Sequence, residues 1–235
     1  MVFAKIQGSG TSKVKMIIDS DIDEIYENST VSVEKLLGKQ VLITGAAGFL
    51  GRYFMSLFHL INQRHPENPV AIVALDSYIT SSNTEDQSWQ RTSPEIEWIF
   101  GDASIGAQLP NKFDYIIHAA GIASPEHYRA NPLETVKVAV DVTRSLLEKA
   151  KIDKSRFLFF SSSEIYGDPL INPQHEKYWG NVNSVGIRSC YDEGKRIGET
   201  ILVEFNRNKS LQIQIARIFN TYGPNMSPYD GRVIT

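Results

Sequence analysis

One short segment constrains the fold of this chain more than any other. The apolar run 41–44, Val-Leu-Ile-Thr, leads directly into three evenly spaced glycines, Gly45, Gly48 and Gly51. Glycine permits a tight turn and lets the backbone approach a pyrophosphate, whose charge is attracted by the N–H groups at the start of a helix. The segment lacks the Gly-Lys-Ser/Thr ending of a P-loop, which disfavours a nucleoside triphosphatase. We therefore predict a strand, a phosphate-binding turn and a helix. The predicted cofactor contacts in this turn are Gly45, Gly48, Phe49, Leu50 and Gly51.

The rest of the chain alternates between short apolar runs and longer amphipathic stretches. Most of the apolar runs are continuous, as in strands that are buried on both faces of a parallel sheet. The predicted strands are residues 40–44, 70–75, 96–100, 115–118, 157–160 and 211–218, and the predicted helices are residues 49–62, 133–149 and 190–208. This order indicates an α/β fold with a doubly wound parallel sheet, the Rossmann arrangement. We assign residues 39–235 to this domain and to the beginning of a substrate-binding region.

Residues 1–38 form an N-terminal extension with a different pattern. Its first 15 residues mix Gly, Ser, Lys and Thr without periodicity. Residues 19–37 are acidic, with apolar positions spaced as in one or two short amphipathic helices. Packing of the extension on a neighbouring element and binding of a partner both fit this pattern.

Composition disfavours several classes of function. The net charge is -3 and the basic residues are not clustered, which disfavours nucleic-acid binding. The single cysteine, Cys190, excludes an internal disulfide and suits a reducing compartment, so we expect a cytoplasmic protein. No apolar run approaches the roughly 20 residues needed to span a bilayer, and no secretory signal is recognisable. The five histidines show no metal-ligand spacing, so no metal is predicted.

Two acidic residues follow predicted strands on the side of the glycine turn. Asp76 ends the second strand, where a carboxylate can accept both hydroxyls of an adenosine ribose and would repel a 2′-phosphate. It therefore favours NAD over NADP. Asp102, followed by Ala103, comes after the third strand, where an adenine amino group can be read. Ala119 and Ala120 end the fourth strand and leave room for a cofactor. The alternative interpretations are a solvent-facing acid at the end of a strand for Asp76 and an ordinary turn aspartate for Asp102.

Tyr191 and Lys195 lie four residues apart on a predicted helix, hence on one face. A phenol has a reference pKa near 10, and a neighbouring ammonium favours its ionised form. Such a tyrosine can take a proton from a hydroxyl while hydride leaves the same carbon for the cofactor. The fifth strand runs into Ser162, Ser163 and Glu164 at the sheet edge where catalytic residues gather. The predicted catalytic residues are therefore Tyr191, Lys195, Ser162, Ser163 and Glu164. The alternative interpretations are a solvent-exposed helix face for the Tyr–Lys pair and a helix-capping role for the serines.

With these motifs the sequence, from about Lys39 onward, resembles the extended short-chain dehydrogenase/reductases of the NAD-dependent epimerase/dehydratase family, which modify nucleotide sugars. The segments 161–169, Ser-Ser-Ser-Glu-Ile-Tyr-Gly-Asp-Pro, and 188–196, Arg-Ser-Cys-Tyr-Asp-Glu-Gly-Lys-Arg, look most like UDP-glucuronate decarboxylases. Residues 178–183, 216–224 and 230–233 are similar to that group too. The resemblance implies NAD as cofactor and a nucleotide sugar, most simply a UDP-sugar, as substrate.

The resemblance also implies a mechanism and a set of roles. Tyr191 would remove the C4 hydroxyl proton, NAD would take the C4 hydride, the resulting β-keto acid would lose carbon dioxide, and the hydride would return to C4. Ser163 and Glu164 correspond to a serine–glutamate pair near the sugar, and Ser162 to the hydroxyl at the reacting oxygen. Dehydratases of this class have Asp in place of Ser163, which weakens the dehydratase reading. The predicted substrate-side residues are Lys137, Arg188, Asn220 and Arg232.

Further expectations follow from the same resemblance. Enzymes of this class dimerise through the helices that correspond to residues 133–149 and 190–208, so we expect a homodimer. Most of the C-terminal sugar-binding domain, with the arginine that meets the substrate carboxylate, would lie beyond Thr235. Gly121 and Ile122 stand where decarboxylases have Cys-Pro. A nucleotide-sugar 4-epimerase, a 4,6-dehydratase and a non-catalytic NAD-binding fragment therefore remain open.

Overall fold

A parallel sheet of six strands forms the centre of the molecule. The computed structural model describes residues 10–80, 93–209, 211–224 and 226. The strands are β1 (Gln40–Thr44), β2 (Ala71–Asp76), β3 (Ile96–Phe100), β4 (Tyr115–His118), β5 (Arg156–Ser162) and β6 (Ile213–Ile218). Their order is β3-β2-β1-β4-β5-β6, which reverses between β1 and β4. In open α/β sheets a ligand binds at such a reversal, outside the carboxyl ends of the strands. The predicted fold class, a doubly wound Rossmann sheet, is confirmed.

Helices cover both faces of this sheet and enclose two apolar cores. The helices are α1 (Gly10–Glu27), α2 (Thr30–Glu34), α3 (Phe49–Arg64), α4 (Pro125–Ala130), α5 (Pro132–Lys137), α6 (Thr143–Asp153) and α7 (Ser189–Lys209). Alternate residues of β1 serve the two cores: Val41 and Ile43 pack with α3, whereas Leu42 packs with α6 and α7. All three are fully buried, which is why the strand reads as a continuous apolar run.

The observed elements follow the predicted ones to within four residues at their ends. The short helix α4 had no counterpart in the sequence prediction, and neither did a π-helical turn. Between α5 and α6 the helix passes through a π-helical turn, Val138–Val142. The turn packs against α7 at two glycines, since a Cβ on Gly194 would lie 3.1 Å from the Ala139 Cβ and one on Gly198 would lie 2.8 Å from the Phe159 ring. The small residues therefore bring α7 close to the sheet.

The N-terminal extension packs on α3 through α1. Ile22 and Tyr26 are buried, and the Tyr26 hydroxyl lies 2.8 Å from the His65 Nε2 at the end of α3. Arg64 forms ion pairs of 2.7 Å with both Asp23 and Glu27. In the described part of the extension a helix does pack on a neighbouring element, but α1 begins at Gly10, well before the acidic stretch 19–37 where short helices were expected. Among the described helices none is long and apolar enough to cross a membrane.

Candidate active site

A cleft of about 530 Å³ opens at the carboxyl edge of the sheet, where the strand order reverses. It brings together most of the residues that the sequence predicted. The predicted site residues that line it are Gly45, Gly48, Phe49, Leu50, Gly51, Ala119, Ser162, Ser163, Glu164, Arg188, Tyr191, Lys195 and Asn220. An adjoining cavity of about 70 Å³ is lined by Asp76, Asp102, Ala103 and Ala120. The two cavities meet at the glycine turn, so together they form an elongated site.

The glycine turn needs its glycines for steric reasons. Gly45 has a positive φ of 76°, and a Cβ there would lie 2.6 Å from the Ala120 amide nitrogen. A Cβ on Gly51 would collide with the Gly45 carbonyl oxygen and lie 2.7 Å from that of Ala46. Gly48 caps the amino end of α3. The turn therefore presents bare backbone and a helix amino terminus to the cleft, as a pyrophosphate requires.

Asp76 organises this turn from the end of β2. Its carboxylate accepts hydrogen bonds from the backbone amides of Ala47, at 2.8 Å, and Tyr78, at 2.7 Å. Burial raises the pKa of Asp76, while these hydrogen bonds and nearby Arg52 oppose that rise. Arg52 in turn donates from Nε to the Ala47 carbonyl at 2.9 Å. The acid predicted to read a ribose thus also holds the phosphate-binding turn in shape.

Asp102 lies on the wall of the smaller cavity. Its carboxylate caps the following 3₁₀ turn by accepting from the Ser104 amide at 2.8 Å. The pKa of Asp102 is lowered because the bonds to Ser104 and the ammonium of Lys137, 3.5 Å away, together outweigh its burial. Lys137 therefore lies beside Asp102, on the side of the smaller cavity. The predicted substrate role of Lys137 stays a prediction. Its ammonium lies 3.5 Å from Asp102, which lines the smaller cavity.

Tyr191 and Lys195 lie together in the first turns of α7, both largely buried. The Lys195 Nζ is 6.0 Å from the Tyr191 ring centre and donates to the Phe160 carbonyl at 2.6 Å. Burial lowers the pKa of Lys195 to about 8, and Glu199 opposes that shift. Gly121 leaves the space that Lys195 occupies, because a Cβ there would lie 3.2 Å from Nζ. A lysine with such a pKa can still hold a charge next to a phenol at neutral pH.

A fully buried histidine, His118, lies within electrostatic reach of Lys195. His118 ends β4 and lies between two threonine hydroxyls, with Nδ1 2.8 Å from Thr44 and Nε2 3.1 Å from Thr143. Burial, followed by the charge of Lys195, lowers the pKa of His118 to about 3. The imidazole is therefore neutral at ordinary pH and joins β1, β4 and the helix after the π turn.

The opposite wall carries Ser162, Ser163 and Glu164, where β5 passes into a 3₁₀ turn. Ser162 caps this turn, because its hydroxyl accepts from the Glu164 amide at 3.2 Å. Glu164 forms an ion pair with Arg188, whose guanidinium also lies 3.5 Å from Asp192. Burial raises the pKa of Asp192 to about 6, and its Oδ1 has no hydrogen-bond partner within the described ranges. The arrangement places hydroxyl, carboxylate and guanidinium groups around one cleft.

Several residues of the site were not found from the sequence. Tyr128 of α4 stacks on Tyr191, and Arg52 borders Asp76. Glu199 and Arg217 form a partly buried ion pair beside Lys195. Glu199 had one available signal, its spacing of four residues after Lys195. Arg232, predicted on the substrate side, lies outside the described residues. In the part of the chain that the structure describes, no group of His, Cys, Asp or Glu could hold a metal ion.

The residues present fit a dinucleotide such as NAD. The turn is a cradle that a Cβ on Gly45 or Gly51 would fill, and it lies at the amino end of α3. Asp76 and Asp102 line the smaller cavity, and Tyr191 and Lys195 line the larger cleft. This distribution suits a dinucleotide, which in folds of this type spans the point where the sheet order reverses.

Comparison with known proteins agrees with this geometry. Residues 41–235 match the model of the NAD dependent epimerase/dehydratase family. The chain is 43% identical over 196 residues to UDP-glucuronic acid decarboxylase 6 of Arabidopsis thaliana, a match that covers 83% of this chain and 54% of that protein. It is 38% identical over 197 residues to UDP-glucuronic acid decarboxylase 1 of Xenopus tropicalis, covering 84% of this chain and 44% of that protein. The chain thus spans about half the length of the curated relatives that it matches.

Solved structures show the same fold. An epimerase from Methanothermobacter thermautotrophicus superposes with a TM-score of 0.67 at 25% identity, over 82% of this chain and 55% of that one. A UDP-glucose 4-epimerase from Brucella ovis, solved in complex with NAD, gives a TM-score of 0.59 at 25% identity, over 77% of this chain and 52% of that one.

Proposed function

The chain belongs to the NAD-dependent epimerase/dehydratase family, and on that premise we propose that it binds NAD, oxidises a nucleotide sugar at C4 and decarboxylates UDP-glucuronate. The observation that carries the proposal is the buried pair of Tyr191 and Lys195, which shares one cleft with Ser162 and Glu164. The named function of the relatives at 43% identity supports the choice of sugar. The dehydratase alternative is weaker because Ser163 replaces an acid that would protonate a departing hydroxyl.

The chain's own residues would hold the cofactor as follows. Backbone N–H groups of the glycine turn and the amino end of α3 bind the pyrophosphate, and Asp76 accepts the hydroxyls of the adenosine ribose. Asp102 meets the adenine, and Lys195 lies next to the nicotinamide end. When bound, NAD supplies a hydride acceptor at the sugar C4 and afterwards returns the hydride. Because Asp76 is already fixed by the amides of Ala47 and Tyr78, the ribose site is formed in advance.

Proton transfer at C4 is the task of Tyr191. The ammonium of Lys195 stabilises the phenolate, so Tyr191 can accept the C4 hydroxyl proton near neutral pH. Ser162, at the end of β5, donates a hydrogen bond to the same oxygen as it becomes a carbonyl. When C4 is reduced again, Tyr191 returns the proton to that oxygen.

Loss of carbon dioxide follows from the 4-keto-6-carboxylate itself. The C5–C6 bond breaks, its electron pair passes into an enolate that ends on the C4 oxygen, and a proton is then added at C5. Ser162 and Tyr191 stabilise that oxygen, since donors aimed at a developing negative charge lower the barrier. Glu164, which pairs with Arg188, lies on the wall beside these donors and orients the sugar.

Quaternary structure and location are part of the same proposal. The packed helices α5 and α7 leave Val136 and Ile197 partly exposed, at 38% and 43%. Such apolar side chains on adjacent helices support a homodimer through this surface. Val136→Glu and Ile197→Glu should each shift sedimentation towards the monomer, and a wild-type monomer at micromolar concentration would contradict the dimer. The single cysteine supports a cytoplasmic location.

The experiment that tests the function uses NAD, UDP-glucuronate and the purified chain. NAD binding is measured first by quenching of tryptophan fluorescence, and products are then identified by mass spectrometry. We expect carbon dioxide with UDP-xylose or a UDP-4-keto-pentose, and we expect Tyr191→Phe and Lys195→Met to lower turnover at least 100-fold, as is usual for loss of a general base. Tyr222→Phe, at a tyrosine that is 68% exposed, is the matched control and should keep full turnover.

Each outcome has a definite meaning. Absence of NAD binding would overturn the whole proposal. Binding without turnover of UDP-glucuronate would overturn the decarboxylase assignment, and UDP-glucose or UDP-galactose would then reveal a 4-epimerase or a 4,6-dehydratase by product. Binding without turnover of any of these sugars would identify the chain as a non-catalytic NAD-binding fragment.

A further inference from the structure

A partly buried ion pair that the proposed chemistry does not use lies one helical turn beyond Lys195. Glu199 follows Lys195 by four residues on α7 and is only 9% exposed. Arg217 of β6 donates to it from Nη2 to Oε2 at 2.7 Å and from Nε to Oε1 at 3.0 Å and Oε2 at 3.3 Å. A bidentate pair of this kind is specific in orientation as well as in charge.

The same pair holds the end of β5. The Ser161 hydroxyl donates to the Glu199 Oε1 at 2.5 Å, and the Lys195 Nζ donates to the Phe160 carbonyl at 2.6 Å. Two neighbouring residues of β5 are therefore fixed by two residues of α7 that are one turn apart. Ser162 comes next along β5, so its position relative to α7 depends on these two hydrogen bonds.

Arg217 extends the network to the far side of the site. Its Nη1 donates to the Tyr166 hydroxyl and to the Glu176 carbonyl, each at 2.9 Å. Tyr166 ends the 3₁₀ turn that carries Glu164. The guanidinium thus links α7 to the 3₁₀ turn and to Glu176. Within the described part of the chain its charge is matched by a single carboxylate, that of Glu199.

One neighbouring carboxylate, that of Glu199, raises the pKa of the buried Lys195. Lys195 is 5% exposed, and the charged or titratable groups that face it in the described structure are Glu199 and Tyr191 on α7 and His118 on β4. The neutral His118 adds no charge, and the Phe159 ring of β5, with its centre 4.7 Å from Nζ, supplies a weak attraction. Burial lowers the pKa of Lys195, and Glu199 alone among these groups raises it.

We propose that Glu199 and Arg217 form a positioning pair that keeps Lys195 as an ammonium beside Tyr191 and fixes Ser162 opposite. The carboxylate attracts the ammonium along α7, while the guanidinium limits that attraction and ties α7 to β6. The proposal rests on the proposed function only in taking Tyr191 as the proton acceptor. Neither residue lines the described cleft, so the effect of the pair is exerted through Lys195 and β5.

The test follows the titration of Lys195 in the full chain by ¹³C NMR at lysine Cε, with Lys195→Met identifying the resonance. Glu199→Gln should lower the midpoint of Lys195 by about one pH unit because an attractive charge is lost. Arg217→Met should raise it, because Glu199 is then no longer neutralised. The double variant should lie between Glu199→Gln and the wild type, because the pair as a whole raises the midpoint. Glu204→Gln, an exposed carboxylate on α7 that pairs with Arg207, is the control and should cause no shift.

Opposite shifts in the two single variants separate control by charge from a purely structural role, which would move both in the same direction. Equal or absent shifts would overturn the proposal. If Arg217→Met does not fold, Arg217→Lys takes its place, because it keeps the charge. Arg217→Lys should leave the Lys195 midpoint unchanged, whereas Glu199→Gln should still lower it. Midpoint shifts of the same size in Arg217→Lys and Glu199→Gln would contradict the proposal. The titration needs no substrate, so an inactive chain would count against the proposed function without affecting this result.

Discussion

The ring of Tyr128 lies flat against the ring of Tyr191, with centres 5.4 Å apart and planes inclined by 9°. Tyr128 is 5% exposed on the short helix α4, whose amino end is fixed by Pro125. The stack covers one face of the phenol that is proposed to move the C4 proton. It therefore sets the plane of Tyr191 and keeps water from that face.

Two substitutions at Tyr128 distinguish the role of its ring from the role of its hydroxyl. Tyr128→Leu removes the stack, which is worth about 1 kcal/mol, and should lower kcat about fivefold while NAD affinity stays unchanged. Tyr128→Phe keeps the ring and should retain near wild-type kcat. Steady-state kinetics on both variants check this, and equal losses in the two would show that the hydroxyl rather than the stack is required.

The glycine turn permits a prediction with its own internal control. Gly51→Ala places a Cβ against the carbonyl oxygens of Gly45 and Ala46, whereas at Gly48 the nearest atom would be 3.2 Å away. We expect Gly51→Ala to cost on the order of 2 kcal/mol of unfolding free energy and to abolish NAD binding. Gly48→Ala should cost less than about 1 kcal/mol. Urea unfolding and NAD titration measure both, and an equal response at the two glycines would contradict the steric argument.

The sequence predicted the parts of this molecule whose cause is local. The glycine turn could be predicted because the positive φ of Gly45 is a local requirement of the turn. The fold could be predicted because strands that are buried on two faces appear as continuous apolar runs. The Tyr191 and Lys195 pair was readable because helical spacing alone puts them on one face.

What the sequence did not predict depends on contacts between distant elements. Glu199 meets Arg217 only because β6 pairs with β5, and Tyr128 reaches Tyr191 only through the placement of α4. The π turn before Thr143 depends on packing against α7 rather than on any local preference. Neither periodicity nor residue type encodes such relations, since each is decided by tertiary packing.

Asp76 gives a prediction about cofactor choice. Asp76→Ser removes the carboxylate that repels a 2′-phosphate, and the guanidinium of Arg52, within electrostatic reach, remains to attract it. We expect the ratio of NADP to NAD affinity to rise at least about tenfold, the effect of one charge-assisted hydrogen bond. Asp102→Ser is the control and should weaken both dinucleotides equally. An unchanged ratio in Asp76→Ser would remove Asp76 from the ribose site.

The buried ammonium of Lys195 should be visible in the pH dependence of stability. Its pKa falls from an ordinary 10.5 to about 8 in the folded chain, so between these values the unfolded chain binds more protons and stability rises with pH. Relative to Lys195→Met, the wild type should therefore gain on the order of 2 kcal/mol from pH 8 to 10.5, a difference that urea unfolding at each pH can measure. The hydrogen bond to Phe160 is lost equally at all pH values and does not affect this slope. Lys35→Met, at an exposed lysine, should show no such trend. A flat difference between wild type and Lys195→Met would mean that Lys195 titrates alike in both states, against the burial seen here.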